Sequence, residues 1–301
     1  MVTGTPEDVP IDQRFAPGAP PSSVGCRGWL AVCLADTGDF PEALAWGGEA
    51  VRIAEAEGGL HAQVFASYCL SRVYLARGNA DQALPLLEKA IALCEGRVLM
   101  YRSRAIASLA RAQTMVGNLD VALRLLREAA DEVQTTTLVF GSAMILVWTS
   151  AAHLEAGLLE GADHYASAAL ELSRRQAGRG DEAWALHALA EIAARRNPPE
   201  SDLAFERFAR ALALAQELAM APLQARCHLS LGMLHHQAKR SVEARDELSR
   251  AVDMLSRMEM RRWLGTAQVL LGEERNRLRP TAPRRMDAGQ AIGGEDLPLS
   301  E

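Results

Sequence analysis

The sequence predicts an all-α chain of six stacked helix pairs, with a period of about 40 residues, ended by a single capping helix. Three observations predict it. Alanines recur in pairs seven residues apart: Ala43/Ala50, Ala83/Ala90, Ala122/Ala129, Ala162/Ala169, Ala204/Ala211 and Ala244/Ala251. The first members follow one another at 40, 39, 40, 42 and 40 residues, and a fixed period in that range marks a solenoid or related array. Glycines at 38, 78, 117 and 157 stand at one place in four of the copies, where a left-handed residue ends a helix. Finally, hydrophobic residues make up 49% of the 301 and aromatic ones only 5%, so Ala, Leu and Val carry the packing, as in closely packed helices.

Each unit reads as helix A, tight turn, helix B. Helix A carries a small residue at its eighth position: Ala31, Ser71, Ala110, Ser150, Ala190 and Gly232. The glycine follows seven residues later, and Asp39, Asn79 or Asn118 comes next, residues suited to cap the following helix. The small residue of helix A and the alanine pair of helix B let the axes approach closely; a larger side chain there would overpack, at about 1–3 kcal/mol. Leu87, Leu126 and Leu248 fill the remaining space. Neither helix buries its stripe alone, so the units must stack.

Pro85 lies inside the second helix B, where it removes a backbone bond, and a slight kink is expected. Residues 134–153 carry no formal charge and are long enough to span a bilayer, but they lack a basic flank and open on Gln134 and threonines, so they read as one buried helix. In the fifth unit Asn197-Pro198-Pro199 ends helix A, and Ser201 is expected to cap helix B. The sixth replaces the turn glycine with Lys239. Residues 261–279 then form the cap, with Trp263, Leu264, Ala267, Leu270 and Leu271 on one stripe. That makes thirteen helices. The expected organisation is a disordered tail over 1–22, the solenoid over 23–279 and a second disordered tail over 280–301.

Composition excludes several functions. Lys and Arg number 32 against 38 Asp and Glu, a net charge of −6, which argues against nucleic-acid binding. The five cysteines include no C-x-x-C pair and read as reduced, mostly buried thiols. The N-terminus has acids and prolines where a signal peptide needs a basic flank and an apolar core, so a cytoplasmic location is expected and no membrane association. His228 and His235 lie two helical turns apart, but no carboxylate or cysteine stands at a matching helical step, and no metal is expected. No phosphate loop and no nucleophile–base arrangement is legible. The chain reads as non-enzymatic, without a cofactor.

A small residue at position eight, alanines at positions twenty and twenty-seven, and a turn glycine between them resemble the tetratricopeptide repeat, here with helices longer than that family's unit of about 34 residues. The segments RGWLAVCLADTGDFPEALAWGGEAVRIAEA, ASYCLSRVYLARGNADQALPLLEKAIALC and DEAWALHALAEIAARRNPPE resemble the C-terminal repeat region of bacterial multidomain proteins that carry a class III adenylate/guanylate cyclase domain and an AAA-type ATPase domain. The resemblance spans about residues 25–275. The catalytic domains are absent here, so it implies a right-handed α-solenoid and a sensory or interaction role without the upstream activities.

In such a stack the A helices line the concave side. Positions two, five, nine and twelve give Phe65, Tyr68, Arg72, Leu75, Arg104, Arg111, Met144, Val147, Leu154, Trp184, His187, Glu191, Arg226, Met233 and His236 as lining residues. The binding candidates among them are Tyr68, Arg72, Arg104, Arg111, Trp184, His187, Glu191, Arg226 and His236. Arg72 and Arg111 share one register in adjacent units, where two guanidinium groups would clamp a peptide carboxylate. A second surface is expected at the start: Trp29, Leu30 and Leu34 have no preceding repeat to cover them, which predicts self-association or docking of another protein. The leading functional expectation is a protein- or peptide-binding scaffold of a bacterial signalling system. Its alternatives are a ligand-sensing module acting on a separately encoded cyclase, ATPase or transcription factor, and a remnant without a role of its own.

Overall fold

The computed structural model describes residues 21–57, 59–94, 101–135 and 142–278, and all regular structure among them is helical. Helices alternate A and B along the chain: α1 (Ser22–Thr37), α2 (Phe40–Glu57), α3 (Leu60–Arg77), α4 (Ala80–Ala92), α5 (Arg102–Met115), α6 (Leu119–Thr135), α7 (Ser142–Glu155), α8 (Leu159–Arg175), α9 (Arg179–Arg195), α10 (Ser201–Glu217), α11 (Ala221–Gln237) and α12 (Ser241–Arg257), followed by the cap α13 (Arg261–Arg277). The six expected pairs and the cap are all present. The expected tails fall outside the described residues except at their inner edges: α1 already begins at Ser22, and α13 ends at Arg277.

All twelve paired alanines are fully buried. The reason is visible at Ser150, whose hydroxyl donates across the unit to the carbonyl of Ala162 at 2.8 Å. Helices A and B touch there with nothing larger than a hydroxymethyl between them. At the equivalent place in the sixth unit, a Cβ on Gly232 would stand 2.7 Å from Leu248 Cγ, so even alanine would have to push its neighbour.

The turns follow the left-handed stop. Gly38 has φ +92°, its N–H donates to the carbonyl of Ala35, and the N–H of Asp39 reaches back to Leu34 at 2.9 Å. The same pair of bonds satisfies helix-end carbonyls after Gly78, Gly117 and Gly157. Lys239 takes this place in the sixth unit at φ +58°, with Arg240 bonding back to His235. The capping expectation needs correction. Only Asp39 uses its side chain on the next helix, accepting from the N–H of Glu42 at 3.3 Å; Asn79 and Ser201 make no such bond, and Asn118 donates to Gln113 instead. The backbone bonds already fix these turns, which leaves the side chains free. Helix α4 continues through Pro85 as one element.

The stretch 134–153 is described only in part. Gln134 and Thr135 close α6, and α7 starts at Ser142, with 136–141 outside the described residues. Among the described residues no helix is long and apolar enough to cross a membrane. Of the five free cysteines, Cys69, Cys94 and Cys227 are buried, whereas Cys26 and Cys33 are exposed on α1.

One feature was not legible in the repeat pattern: the superhelix completes a turn and meets itself. A Cβ on Gly38, in the α1–α2 turn, would lie 2.6 Å from Met258 Sδ and 3.3 Å from the Cβ of Ala221. At Gly78, one unit on, it would meet Trp263 at 2.9 Å and the Cβ of Arg262 at 3.0 Å. An ion pair between Arg77 and Glu259 closes the same seam. A single apolar cluster therefore joins Ala31, Ala35, Phe40 and Val73 to Ala225, Leu255, Met260 and Ala267.

This closure revises the premise of an uncovered first helix. Leu34 packs against that shared cluster, and Trp29 meets Phe65 edge-on, with ring centroids 5.5 Å apart. Leu30 alone of the three is exposed. Of the three, Leu34 is the one that packs against residues of the last units.

Candidate functional site: a cavity on the superhelix axis

Because the ends meet, the A helices enclose a cavity where an open trough was expected. The empty space in it and in its mouth, open solvent included, amounts to about 770 Å³. Its walls come from α3, α5, α7, α9 and α11, with Asp36 of α1 and Trp263 of α13 completing them.

The A-helix register identified much of the lining. Arg72, Leu75, Arg111, Met144, Val147, Leu154, Trp184, His187, Glu191 and Arg226 all face the cavity. Phe65, Tyr68, Arg104, Met233 and His236 do not. Tyr68 is buried behind Arg72, stacked on Tyr101 with centroids 6.3 Å apart, and its hydroxyl accepts from Arg72 Nη1 at 3.3 Å. Arg104 is buried with its guanidinium over the Tyr101 ring at 5.6 Å. His236 packs against the cap, where its Nδ1 lies 2.5 Å from Glu274 Oε1. The lining drifts along the helices. Unit two contributes positions nine and twelve and unit three position nine, toward the helix ends, while unit five contributes positions two, five and nine and unit six position two, at the helix start. A superhelix that rises as it turns brings the end of an early helix level with the start of a late one. Repeat spacing alone carries no information on that rise.

The same rise accounts for residues the register missed. Asp36 and Trp263 arrive from the two meeting edges, and Trp148 lies between lining positions of α7. Asp181, at the start of α9, stands close enough to Arg72 and Asp36 to feel both charges.

Two ends of the cavity differ electrostatically. At one, Arg72 lies over the Trp148 ring at 5.4 Å and hydrogen bonds to Tyr68. Burial disfavours its charge, but Tyr68, Asp36 and Asp181 more than compensate and hold its pKa above the ordinary value. Burial raises the carboxyls of Asp36 and Asp181, and Arg72 opposes that rise in both. At the other end, Arg226 lies between two indoles, 5.1 Å from Trp184 and 5.3 Å from Trp263, a favourable arrangement for a partly desolvated cation. Its Nη2 is 3.7 Å from Glu191 Oε1. The imidazole of His187 is 3.8 Å from that oxygen, and its pKa is lowered to about 4 by burial first, with Arg226 and Arg111 adding to the effect. His187 is therefore neutral near pH 7, and its Nε2 is buried without a hydrogen-bond partner. Burial raises Glu191, but the guanidinium charges of Arg226, Arg195 and Arg111 oppose it and keep the carboxylate ionised.

Arg111 stands apart. Among the described residues it makes no ion pair and no hydrogen bond. Burial, then Arg226 and Arg262, lower its pKa to about 10, with Glu191 and Glu155 only partly offsetting them. The two same-register arginines are thus unequal: the groups around Arg72 outweigh burial and hold its pKa up, whereas at Arg111 burial, Arg226 and Arg262 outweigh Glu191 and Glu155. Away from the cavity, His228 Nδ1 meets Glu247 Oε2 at 2.6 Å, and no group of three or more metal-ligating side chains occurs among the described residues.

Comparison with known proteins agrees with this architecture. Models of the tetratricopeptide repeat match residues 27–96 and 200–259. Those two segments carry tetratricopeptide repeats. Among solved structures it is similar to a Rap protein complexed with competence and sporulation factor, at TM-score 0.60 and 14% identity, over 85% of this chain and 75% of that one. The apo form of RapI is similar at TM-score 0.52 and 14% identity, over 84% and 71% of the two chains. Repeats of a putative kinesin light chain from Podosopora anserina align at TM-score 0.45 and 20% identity, over 64% and 95%. At these identities the likeness is one of fold. No curated protein matches the sequence.

Proposed function

We propose that this chain is a non-enzymatic binding module of a bacterial signalling system, and that its recognition site is the axial cavity. Tetratricopeptide repeats typically mediate protein or peptide binding. The observation that carries the reading is the meeting of the first units with the last, which turns the A-helix face into an enclosed chamber with converging charged and indole groups. Such a chamber suits a short peptide or a small ligand better than the surface of a folded partner. The similar Rap protein was solved in complex with competence and sporulation factor, a precedent for occupancy of a related fold. The ligand-sensing alternative gains from the same geometry. A ligand bridging early and late units would stabilise the closed superhelix, and a separately encoded cyclase, ATPase or transcription factor would read that state on the outer surface.

The test is to plug the chamber. Ala151 lines it from α7, and Ala151→Trp fills it without touching a charge. Wild type and variant are equilibrated with a cell extract and repurified, and released small molecules and peptides are identified by mass spectrometry. Retention by wild type and loss in the variant, with unchanged helical circular dichroism, supports the reading. Equal retention by both refutes it.

A further inference from the structure

We propose that α1 is the contact between two copies of this chain, packed antiparallel about a two-fold axis, and that oxidation locks the pair through two Cys26–Cys33 disulfides. The inference concerns a surface away from the cavity and does not depend on what the cavity binds.

The exposed residues of α1 are Ser22, Cys26, Leu30, Cys33 and Thr37, and none is charged. They follow one another at steps of four, four, three and four, so they form one stripe along the helix. The two charged side chains of α1 are engaged elsewhere. Arg27 donates to the carbonyl of Ser23 at 2.8 Å and lies over the Trp46 ring of α2 at 5.7 Å, while Asp36 lines the cavity. The exposed face of α2, in the same unit, carries Glu42, Arg52 and Glu55, as a solvated helix face does. Leu30, at 41% exposure, stands at the centre of a strip with no such charges.

The order of residues along the stripe identifies the occupant. A two-fold contact is self-complementary: where residue i meets j, j meets i. Two antiparallel α1 helices, with the axis between Trp29 and Leu30, place Ser22 opposite Thr37, Cys26 opposite Cys33 and Leu30 opposite Trp29 of the second copy. Hydroxyl meets hydroxyl, thiol meets thiol and apolar meets apolar on both sides of the axis. A parallel pair, with each residue facing itself, is less favourable. It aligns the two helix dipoles, and it crowds two seams together, because the end of α1 abuts the last units at Gly38.

Within one helix the two sulfurs cannot bridge. Seven residues of rise set their Cα atoms about 10.5 Å apart, beyond the ~7 Å limit for a disulfide. Between antiparallel helices they can. Axes about 10 Å apart, with Cα atoms about 2.3 Å from each axis, bring facing Cα atoms to about 5.5 Å, the usual disulfide separation. Each bridge consumes one hydrogen peroxide. One thiol is oxidised to a sulfenic acid and releases water; the facing thiol then displaces a second water as the S–S bond forms. A dithiol reductant reverses the bridge. Cys69, Cys94 and Cys227 are buried and take no part.

The test treats the full chain with hydrogen peroxide, separates it on a non-reducing gel and reads the linked peptides by mass spectrometry. The expected product is a dimer joined Cys26 to Cys33, which dithiothreitol returns to monomer. Cys26→Ser and Cys33→Ser, each alone, should lose most of the dimer, since the surviving thiol faces a serine. Mixed in equal amounts, the two variants should regain a dimer through one bridge, which a parallel pair would not allow. Leu30→Lys keeps both cysteines and sets like charges beside the axis; with unchanged helical circular dichroism, it should cut the yield severalfold. No dimer on oxidation, Cys26–Cys26 or Cys33–Cys33 bridges in the single variants, a ladder of larger species, or a yield indifferent to Leu30→Lys overturns the proposal.

Discussion

Arg72 and Arg111 occupy the same position of adjacent repeats and line the same cavity, yet the fold treats them in opposite ways. Around Arg72 the superhelix gathers Asp36 from the first unit and Asp181 from the fifth, near enough for their charges to stabilise the guanidinium. Around Arg111 it gathers Arg226 from the sixth unit and Arg262 from the cap, whose charges with burial outweigh Glu191 and Glu155. Equivalent repeat positions are chemically equivalent only if what stands across the axis is also repeated. Here the opposite wall is set by superhelical rise, so the charge of one arginine is favoured by what faces it and that of the other is not.

The largest expected effect separates the two arginines by stability. Arg72→Ala leaves Asp36 and Asp181 facing each other in a partly desolvated site, and removing one partner of such a set costs about 3–5 kcal/mol. Arg111→Met replaces an unmatched cation with a side chain of similar length and should leave stability unchanged or raise it by about 1 kcal/mol. Urea unfolding of both variants measures this, and a comparable loss in the two would erase the distinction.

A pH series sharpens the picture at the Arg111 end. The folded pKa of His187 is about 4 against an ordinary 6.5. Between those values the unfolded chain binds a proton that the folded chain refuses, so stability falls as pH drops through that window, by at most about 3 kcal/mol. Asp36 and Asp181 act with the opposite sign. Their raised folded values let the native chain take up protons first, which adds stability as acid is added. The two carboxyls remain in His187→Gln, so subtracting the two pH profiles isolates the histidine. Wild type should lose more stability than the variant between pH 6.5 and 4, and parallel profiles would mean that the imidazole is not held neutral.

The smallest expected effect concerns the seam that places Arg262 near Arg111. Gly78→Val puts a branched side chain at φ +97° and against Trp263 and Arg262, which costs about 1–3 kcal/mol. If closure positions that end of the cavity, small-angle scattering should show a larger maximum dimension in the variant than in wild type. An unchanged dimension would show that the seam yields locally and leaves the superhelix closed.

Much of the fold was legible because helix packing is a short-range matter. The room for Ala83 or Ala162 depends on the helix beside it, and the neighbouring helix is fixed by the same period. The turn glycines declare themselves because few residues tolerate their φ, although Lys239 shows that context can hold another residue there. The site was only half legible. The A-helix register found Arg72, Arg111, Trp184, His187, Glu191 and Arg226, which stand on the inner side of their helices at the level of the cavity. It also proposed Tyr68, Arg104 and His236, which packing takes up elsewhere, and it passed over Asp36, Trp148, Asp181 and Trp263. A negatively charged residue at a helix start, such as Asp181, looks complete without any distant partner, so nothing in its own neighbourhood points across the axis.

The sequence by itself determined the thirteen helices, their pairing and the close contact within each pair, because those depend on side-chain size and backbone freedom within one period. Only the tertiary structure decided that the superhelix closes, which charges face each other across it, and which arginine remains unmatched. Small rotations between successive units accumulate over the whole chain, and no local stretch of residues records their sum.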